Sequence, residues 1–169
     1  MSQQELIIEV NPSCISVWKE SWAKRTARVT LLVDFKEQIV IVANTSQGFW
    51  FLPGGGAKHN ESIEEAAKRE ATEELGLEVK VNKIIKTYHI MLISTRTKEQ
   101  LEIPPFIAVH ATCIGGRLKT EYAPNRKILL AKEDECNSLL VDFEIPEEYE
   151  WMKPYFYVSK QIIREFVTC

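Results

Sequence analysis

The segment from Gly55 to Leu77 combines glycines, acids and one arginine at fixed offsets across a predicted loop and helix. On a helix with 3.6 residues per turn, Glu70 and Glu74 lie about 40° apart and Glu73 lies about 60° from Glu70. Such a cluster of acids repels itself unless a cation is bound between them. Mg²⁺ prefers carboxylate oxygens and shares its coordination shell with substrate phosphates. The spacing therefore favours a site that holds a divalent metal against a diphosphate.

A glycine-rich loop and one helix must position these acids. Gly54–Gly56 follows the apolar run Phe49–Leu52, and glycine gives the backbone the freedom to leave a strand and bend. Asn60 is a suitable N-cap for the helix, because its side chain can accept from the free amides of the first turn. Gly76 is suited to end the helix in a left-handed conformation.

The whole segment resembles the Nudix box of the Nudix hydrolase family. The residues that match the box are Gly55, Glu61, Arg69, Glu70, Glu73, Glu74, Gly76 and Leu77, and Leu52-Pro53-Gly54-Gly55 matches its usual lead-in. Ala71 is the one soft position, since a larger aliphatic residue is commoner there. The resemblance extends loosely upstream through residues 27–34 and fades after about Val81.

The resemblance implies roles for the residues of the box. Glu70, Glu73 and Glu74 are similar to the family's metal ligands for Mg²⁺, with Mn²⁺ as a substitute, and one of these acids also takes a proton from water. Glu61 resembles the supporting acid, and the Arg69 guanidinium is suited to hold carboxylates in place. We therefore predict catalytic roles for Glu61, Arg69, Glu70 and Glu73, and metal binding by Glu70, Glu73 and Glu74.

Four further residues are candidates for contacts with the substrate or metal. Gly54 and Gly55 let the backbone approach a phosphate. Arg28 lies in a predicted strand near the sheet centre, where it either reaches a phosphate or forms a surface ion pair. Glu121 is either the extra acid that many Nudix enzymes supply from outside the box, and hence a fourth metal ligand, or a solvated loop residue.

Other residues whose types could support chemistry have simpler explanations. His59 lies in the loop without a second ligand at metal spacing and is expected to be exposed. His89 and His110 fall in β-rich runs and are expected on strand faces. Trp50 and Tyr88 either stack a base or, as the more frequent outcome, pack in the core.

Composition restricts the class of protein. The 169 residues suit a single domain over 1–169, with 45% hydrophobic and 27% charged residues as in ordinary soluble proteins. A net charge of −3 argues against broad nucleic-acid or membrane binding. No apolar run approaches the ~20 residues that cross a bilayer, and the N-terminus lacks a signal peptide, so we expect a cytoplasmic protein. The widely spaced cysteines are expected to be reduced thiols, and these are Cys14, Cys113, Cys136 and Cys169.

Periodicity predicts a mixed sheet between helices. Strands are expected at residues 6–10, 28–34, 39–43, 49–52, 106–113 and 127–131, with one or two strands in 78–94. Helices are expected after the glycine loop and at 155–167, and residues 16–24 are expected to form either a short helix or an irregular segment that covers the sheet. The resemblance implies the same α/β architecture, the Nudix-type α/β/α sandwich.

The predicted activity is metal-dependent hydrolysis of the diphosphate linkage in a nucleoside diphosphate joined to another moiety. One alternative is a non-catalytic Nudix-like nucleotide-binding module, but such modules usually lack an acid of the box. Another is an isoprenoid diphosphate isomerase on the same scaffold, which would need a cysteine near the glycine loop. Leu92, Ile93 and Ser94 occupy the window where relatives specific for ADP-ribose or diadenosine polyphosphates carry Pro or Tyr. The sequence therefore leaves the substrate open, as it does the choice between monomer and homodimer.

Overall fold

The computed structural model describes residues 1–22, 24–141 and 143–167, and Cys169 lies outside them. The described strands are β1 (Ser2–Val10), β2 (Arg28–Phe35), β3 (Gln38–Asn44), β4 (Phe49–Phe51), β5 (Gly54–Gly56), β6 (Leu77–Ser94), β7 (Gln100–Gly116), β8 (Glu121–Ala123) and β9 (Arg126–Ala131). They form one sheet in the order β1-β6-β7-β2-β3-β9-β8, with β4 paired to β3 and β5 paired to β2. Parallel and antiparallel pairs are both present, as the sequence predicted.

Helices cover both faces of this sheet. They are α1 (Pro12–Trp22), α2 (Ile63–Glu70), α3 (Glu133–Leu139) and α4 (Lys153–Phe166), together with a π-helical turn (Ala71–Leu75) and a 3₁₀ helix (Glu147–Met152). One core lies between the sheet and α2, and a second core lies between the sheet and helices α1, α3 and α4. The result is a mixed sheet between helical layers.

The residues of strand β2 that pair with β5 point alternately to the two faces of the sheet. Its first residues, Arg28–Thr30, pair with Gly54–Gly56 of β5, whereas its last residues pair with β3. Val29 belongs to the core under α2, while the Arg28 side chain contacts Phe106 and Tyr155 of the opposite core. Alternation along β2 thus presents neighbouring residues to different sides of the sheet.

The strand β7 is longer than predicted because it runs through Pro104-Pro105. Pairing of β7 with β2 starts only at Phe106, so the prolines precede the hydrogen bonds on that side. On the other side, the pairing with β6 has a register shift between Tyr88 and Ile90. Proline is tolerated where the ladder is open or irregular, which explains why the strand continues.

Several short elements differ from the sequence prediction. Helix α1 begins at Pro12 instead of Ser16, in keeping with the preference for proline in a first helical turn. Residues 77–94 form one long strand, whose register shifts against β7 show where it bends. Strand β8 and helix α3, which are three and seven residues long, were not predicted. Within the described residues, no helix has the length and apolar character needed to cross a membrane.

Candidate functional site

Helix α2 begins two residues later than predicted. Ser62 is the N-cap: its Oγ accepts the Glu65 N–H at 3.2 Å, and the Glu65 Oε2 accepts the Ser62 N–H at 2.8 Å. The prediction of Asn60 as N-cap is wrong, since Asn60 lies in the preceding turn with φ of 62°. This reciprocal capping box leaves Glu61 outside the helix, from where its side chain reaches back onto α2.

The acidic end of the helix is a π-helical turn. Residues Ala71–Leu75 follow α2 with the wider turn of the i→i+5 pattern, and Gly76 ends the segment with φ of 74°. Gly76 therefore stops the helix as predicted. The 3.6-residue wheel does not apply beyond Glu70, so the 40° angle expected between Glu70 and Glu74 is not the geometry of this site. Single π-turns are frequent at functional sites.

The Arg69 guanidinium binds three of the predicted acids. Its Nε donates to Glu61 Oε1 at 2.6 Å and its Nη2 donates to Glu61 Oε2 at 2.9 Å. Its Nη1 donates to Glu70 Oε1 at 2.6 Å and to Glu73 Oε2 at 3.0 Å. Nη2 also donates to the Gly56 carbonyl oxygen at 3.0 Å, which links the glycine strand (β5, Gly54–Gly56) to the helix. One side chain thus fixes the directions of several carboxylates.

The pairing of Arg69 with Glu61 keeps both groups ionised. Hydrogen bonds from Arg69 lower the pKa of Glu61 to about 2, and the same bonds raise the pKa of Arg69. Only 18% of the Arg69 side chain and 14% of the Glu61 side chain are exposed. The partial burial strengthens a two-point contact that would contribute little if fully solvated.

The Glu70 carboxylate lies against the glycine strand. Glu70 is buried, and a Cβ placed on Gly55 would lie 2.3 Å from its carboxyl atoms. Any side chain at Gly55 would therefore displace Glu70. Gly54 adopts φ of 150°, and its carbonyl oxygen accepts the Tyr122 hydroxyl at 3.0 Å.

The environment of Glu74 disfavours its negative charge. Burial raises its pKa, and the charges of Glu70 and Glu73 add to the effect, while the charges of Lys119 and Arg28 oppose it. The Lys119 Nζ donates to the Glu73 carbonyl oxygen at 2.5 Å. The π-helical turn thus brings together acids that repel each other, with a lysine beside them.

Arg28 lies on the other face of the sheet from Glu70. It is 5% exposed, and its Cζ lies 4.1 Å from the Tyr155 ring centroid and 5.7 Å from that of Phe106. Its buried Nε has no hydrogen-bond partner within the described residues. The alternative of a surface ion pair is wrong, because the side chain is buried and forms no ion pair in the described part of the chain.

The other sequence candidates form no contact with the Arg69 cluster among the described residues. Glu121 is exposed on β8, and its side chain forms no hydrogen bond or ion pair in the described structure. Its neighbour Tyr122 instead supplies the contact from β8 to the glycine strand. Lys119 and Tyr122 were missed by sequence reasoning, since no local pattern showed that residues 117–122 return to the acidic turn.

The remaining candidates belong to the scaffold. Trp50 and Tyr88 are buried, and the Trp50 Nε1 donates to the Leu139 carbonyl oxygen at 3.0 Å, so neither offers a face to a base. His59 is exposed as expected. His89 and His110 lie in β6 and β7 as expected.

The acids suit a metal ion whose coordination shell is completed by the substrate. No three His, Cys, Asp or Glu side chains of the described residues form a ready-made metal cage. Mg²⁺ is usually held by one or two carboxylates together with waters and substrate phosphates, so a complete protein cage is not required. Glu74, whose charge is disfavoured by Glu70 and by burial, is a carboxylate that a divalent cation would stabilise. The donor set therefore fits Mg²⁺ or Mn²⁺.

Solved structures show the same fold. The chain is similar to the mutator MutT protein from Bacillus halodurans, with a TM-score of 0.57, 20% identity, and coverage of 82% of each chain. It is also similar to a UDP-X diphosphatase, with a TM-score of 0.51, 17% identity, and coverage of 90% of this chain and 70% of the other. A NUDIX hydrolase from Nitrosomonas europaea has a TM-score of 0.53 and 15% identity, with coverage of 86% and 73%. These similarities confirm the predicted α/β/α architecture.

The family is shown by the sequence model of the NUDIX domain, which matches residues 23–154. A comparison with curated proteins gave no significant match. The matched range contains the complete acidic box, the glycine strand and Arg69, whose contacts are described above. The chain therefore belongs to the Nudix hydrolase family.

Proposed function

We propose that this protein is a Mg²⁺-dependent hydrolase that cleaves the diphosphate linkage of a nucleoside diphosphate joined to another moiety. The observation that supports this most is the Arg69 cluster: the guanidinium donates four hydrogen bonds to the carboxylates of Glu61, Glu70 and Glu73 and a fifth to the Gly56 carbonyl oxygen. Such a network orients carboxylates for a cation before any ligand arrives. The family membership and the completeness of the box agree with a catalytic role.

In this proposal, Glu70, Glu73 and Glu74 hold the metal. Bound there, the metal would supply positive charge for the phosphate oxygens and Lewis acidity toward water. Arg69 and Glu61 keep Glu70 and Glu73 in fixed orientations. One of the three metal-binding carboxylates accepts the proton of the attacking water. No contact in the structure supports the assignment of Glu121 as a further ligand, and that assignment rests on the sequence alone.

The glycine strand and two basic side chains, Lys119 and Arg28, make the site suitable for a phosphate. Gly54 and Gly55 carry no side chains that would exclude the substrate, and Gly55 leaves room for Glu70. Lys119 places a positive charge beside the acidic turn. We propose that Arg28 binds an anionic group of the substrate, because its buried guanidinium forms no salt bridge within the described residues.

The isomerase alternative is not favoured by the cysteines that the structure describes. Cys14 and Cys136 are buried in the core under α1 and α4. Cys113 lies seven residues along β7 from Phe106, the residue that pairs with Arg28 at the level of the glycine strand. That separation is about 23 Å at roughly 3.3 Å per residue. No described cysteine is therefore placed for chemistry beside Gly54–Gly56.

The proposal is tested by a substrate panel with Mg²⁺. The panel includes nucleoside triphosphates, nucleotide sugars, ADP-ribose, dinucleoside polyphosphates, capped RNA and simple phosphate monoesters. We expect turnover of one or more diphosphate compounds, with nucleoside monophosphate among the products. If ligands of the panel bind but none is hydrolysed, the binding-module alternative replaces the proposed activity.

A further inference from the structure

Two arginines enter the same aromatic cluster from different strands. Arg28 begins β2, and its Cζ lies 4.1 Å from the Tyr155 ring centroid. Arg126 begins β9, and its Cζ lies 5.8 Å from the Phe51 ring centroid. The Phe51 and Tyr155 rings are 6.0 Å apart, and both arginine charges act on the Tyr155 hydroxyl. The two guanidinium groups therefore flank one aromatic surface.

Neither guanidinium forms a salt bridge with a carboxylate of the described residues, although the Arg28 charge acts on Glu74. Arg28 is almost completely buried, and its Nε has no hydrogen-bond partner in the described part of the chain. Arg126 is half-buried, and within the described residues its Nη2 donates only to the Met152 Sδ at 3.6 Å, which is a weak acceptor. Burial of the Arg28 charge without a salt bridge is unfavourable, and the like charge of Arg126 beside the same aromatic cluster adds to that cost. An anion between them would remove it.

A second buried polar group near Arg28 also has no hydrogen-bond partner in the described residues. Thr30 lies two residues along β2 on the same face, and its buried Oγ1 also lacks a hydrogen-bond partner in the described residues. Gly56 and Gly54 pair with Arg28 and Thr30 on the neighbouring strand, and they have no side chains that could act as acceptors. Buried polar groups without partners are uncommon in folded proteins and indicate a missing ligand or water.

The aromatic contacts of Arg28 lie on the face of the sheet opposite Glu70, although the Arg28 charge also acts on Glu74. Glu70 lies over Gly55, whose partner Val29 points into the core under α2. Arg28 contacts Tyr155 in the opposite core. A phosphate held by the metal and Glu70 would therefore not be the same group as one enclosed by the two arginines.

We propose that Arg28 and Arg126 form a subsite for a second anionic group of the substrate, a phosphate monoester or a carboxylate outside the diphosphate that is cleaved. The guanidinium fork matches both of these anions. The role of the subsite in substrate choice rests on the proposed hydrolase function, whereas its ability to bind an anion does not. The anionic group belongs either to the ribose of the nucleoside or to the linked moiety.

The first experiment measures binding of inorganic phosphate to the metal-free protein in excess chelator, at constant ionic strength set with chloride. Without metal, the acids repel phosphate, so binding reports on the arginines. We expect phosphate to raise the melting temperature by mass action in the wild type and in K127Q, and to lose that effect in R126Q. Lys127 is the exposed neighbour of Arg126 on β9, which makes K127Q a control with the same charge change. Absence of a shift in the wild type, or an equal shift in R126Q, would overturn the subsite.

A second variant addresses the buried member of the pair. R28M removes the charge and keeps an apolar stem against Tyr155. Because it removes an uncompensated buried charge, we expect R28M to be at least as stable as the wild type without phosphate and to show no phosphate shift. A lower melting temperature without phosphate, or a retained shift, would contradict the proposal.

The third experiment identifies which anionic group is selected. Matched substrate pairs differ in one anion: NADPH with NADH, coenzyme A with dephospho-coenzyme A, and UDP-glucuronate with UDP-glucose. With Mg²⁺, we expect the more anionic member of at least one pair to have a kcat/KM higher by about tenfold or more, with the ratio falling toward one in R126Q but not in K127Q.

The outcomes separate the subsite from the proposed activity. Hydrolysis of both members of every pair at equal kcat/KM would overturn the subsite and leave the hydrolase function intact. If no compound is hydrolysed, the hydrolase function fails, and the phosphate-binding measurement alone decides whether the subsite exists.

Discussion

Arg69 and Glu61 face each other through two parallel hydrogen bonds, at 2.6 Å from Nε to Oε1 and 2.9 Å from Nη2 to Oε2. The pair joins the loop before α2 to the last turn of that helix. Because the same guanidinium donates to Glu70 and Glu73, the position of Glu61 influences acids that it does not itself touch. The site is organised around the arginine and not around a single acid.

Replacement of Arg69 by lysine should lower kcat/KM by about 10–100-fold, as loss of residues that orient metal ligands usually does. Lysine keeps the positive charge but cannot form the two parallel bonds to Glu61 while also holding Glu70. Steady-state kinetics on the best substrate of the panel measure the effect. Arg117→Lys, at an exposed arginine, is the matched control and should keep the wild-type rate. A wild-type rate in R69K would show that the network does not orient the acids.

Gly55→Ala should reduce activity by about 100-fold, the order expected when a catalytic group is displaced by about 1 Å. The added Cβ would lie 2.3 Å from the Glu70 carboxyl group, so that group must move. Gly115→Ala is the control, because there the Cβ would be 3.0 Å from the side chain of Glu78, outside the proposed site. Equal activities of the two variants would contradict the close packing of Glu70 on the glycine strand.

Glu61→Gln should lower the free energy of unfolding near pH 6 but have little effect on it at low pH. The pKa of Glu61 is lowered from 4.5 to about 2 in the folded protein, mainly by the hydrogen bonds from Arg69. A lowered pKa stabilises the fold above the unfolded value and loses that contribution as pH falls toward the folded value. The wild type should therefore unfold with a higher free energy than E61Q at pH 6, and the difference should shrink between about pH 4.5 and 2.

The control for this titration is Glu64→Gln, at an exposed residue whose salt bridge to Lys68 is solvated. Its difference from the wild type should be small throughout the range. Denaturant unfolding at several pH values measures both variants. A difference between E61Q and the wild type that stays constant down to pH 2 would disprove the assigned ionisation of Glu61.

Glu74→Gln should abolish most turnover and yet raise the melting temperature of the metal-free protein at pH 7. Burial and the charge of Glu70 raise the pKa of Glu74, so its ionised form opposes folding above that pKa. Loss of a metal ligand removes charge stabilisation of about several kcal/mol from the reaction. Thermal unfolding in chelator and kinetics in Mg²⁺ measure the two effects. A destabilised or fully active E74Q would contradict its role.

The local parts of the site could be predicted from the sequence, whereas the parts that depend on the fold could not. Glu61, Arg69 and Glu70 lie in one loop and one helix, so their spacing was sufficient to group them. Ser62 was overlooked in favour of Asn60, although Glu65 three residues later is the signature of a capping box. The π-helical turn was not predicted, because a helical wheel assumes the regular i→i+4 pattern.

Contacts that span the chain had no local signal. Tyr122 reaches Gly54 from a three-residue strand, which is too short to show periodicity. The strand that contains Arg28 was recognised, but its burial against Tyr155 depends on where α4 packs. Sequence reasoning therefore identified Arg28 and left open whether it was buried or on the surface.

The central claim is metal-dependent cleavage of a P–O–P linkage, and hydrolysis in ¹⁸O-labelled water tests it most directly. Each diphosphate of the panel is incubated with the enzyme and Mg²⁺, with and without excess chelator, and the products are analysed by mass spectrometry. We expect one heavy oxygen on one phosphate product, no reaction in chelator, recovery when Mg²⁺ is restored, and poor turnover of phosphate monoesters. Turnover that persists after exhaustive chelation, or monoesters that react faster than every diphosphate, would contradict the account.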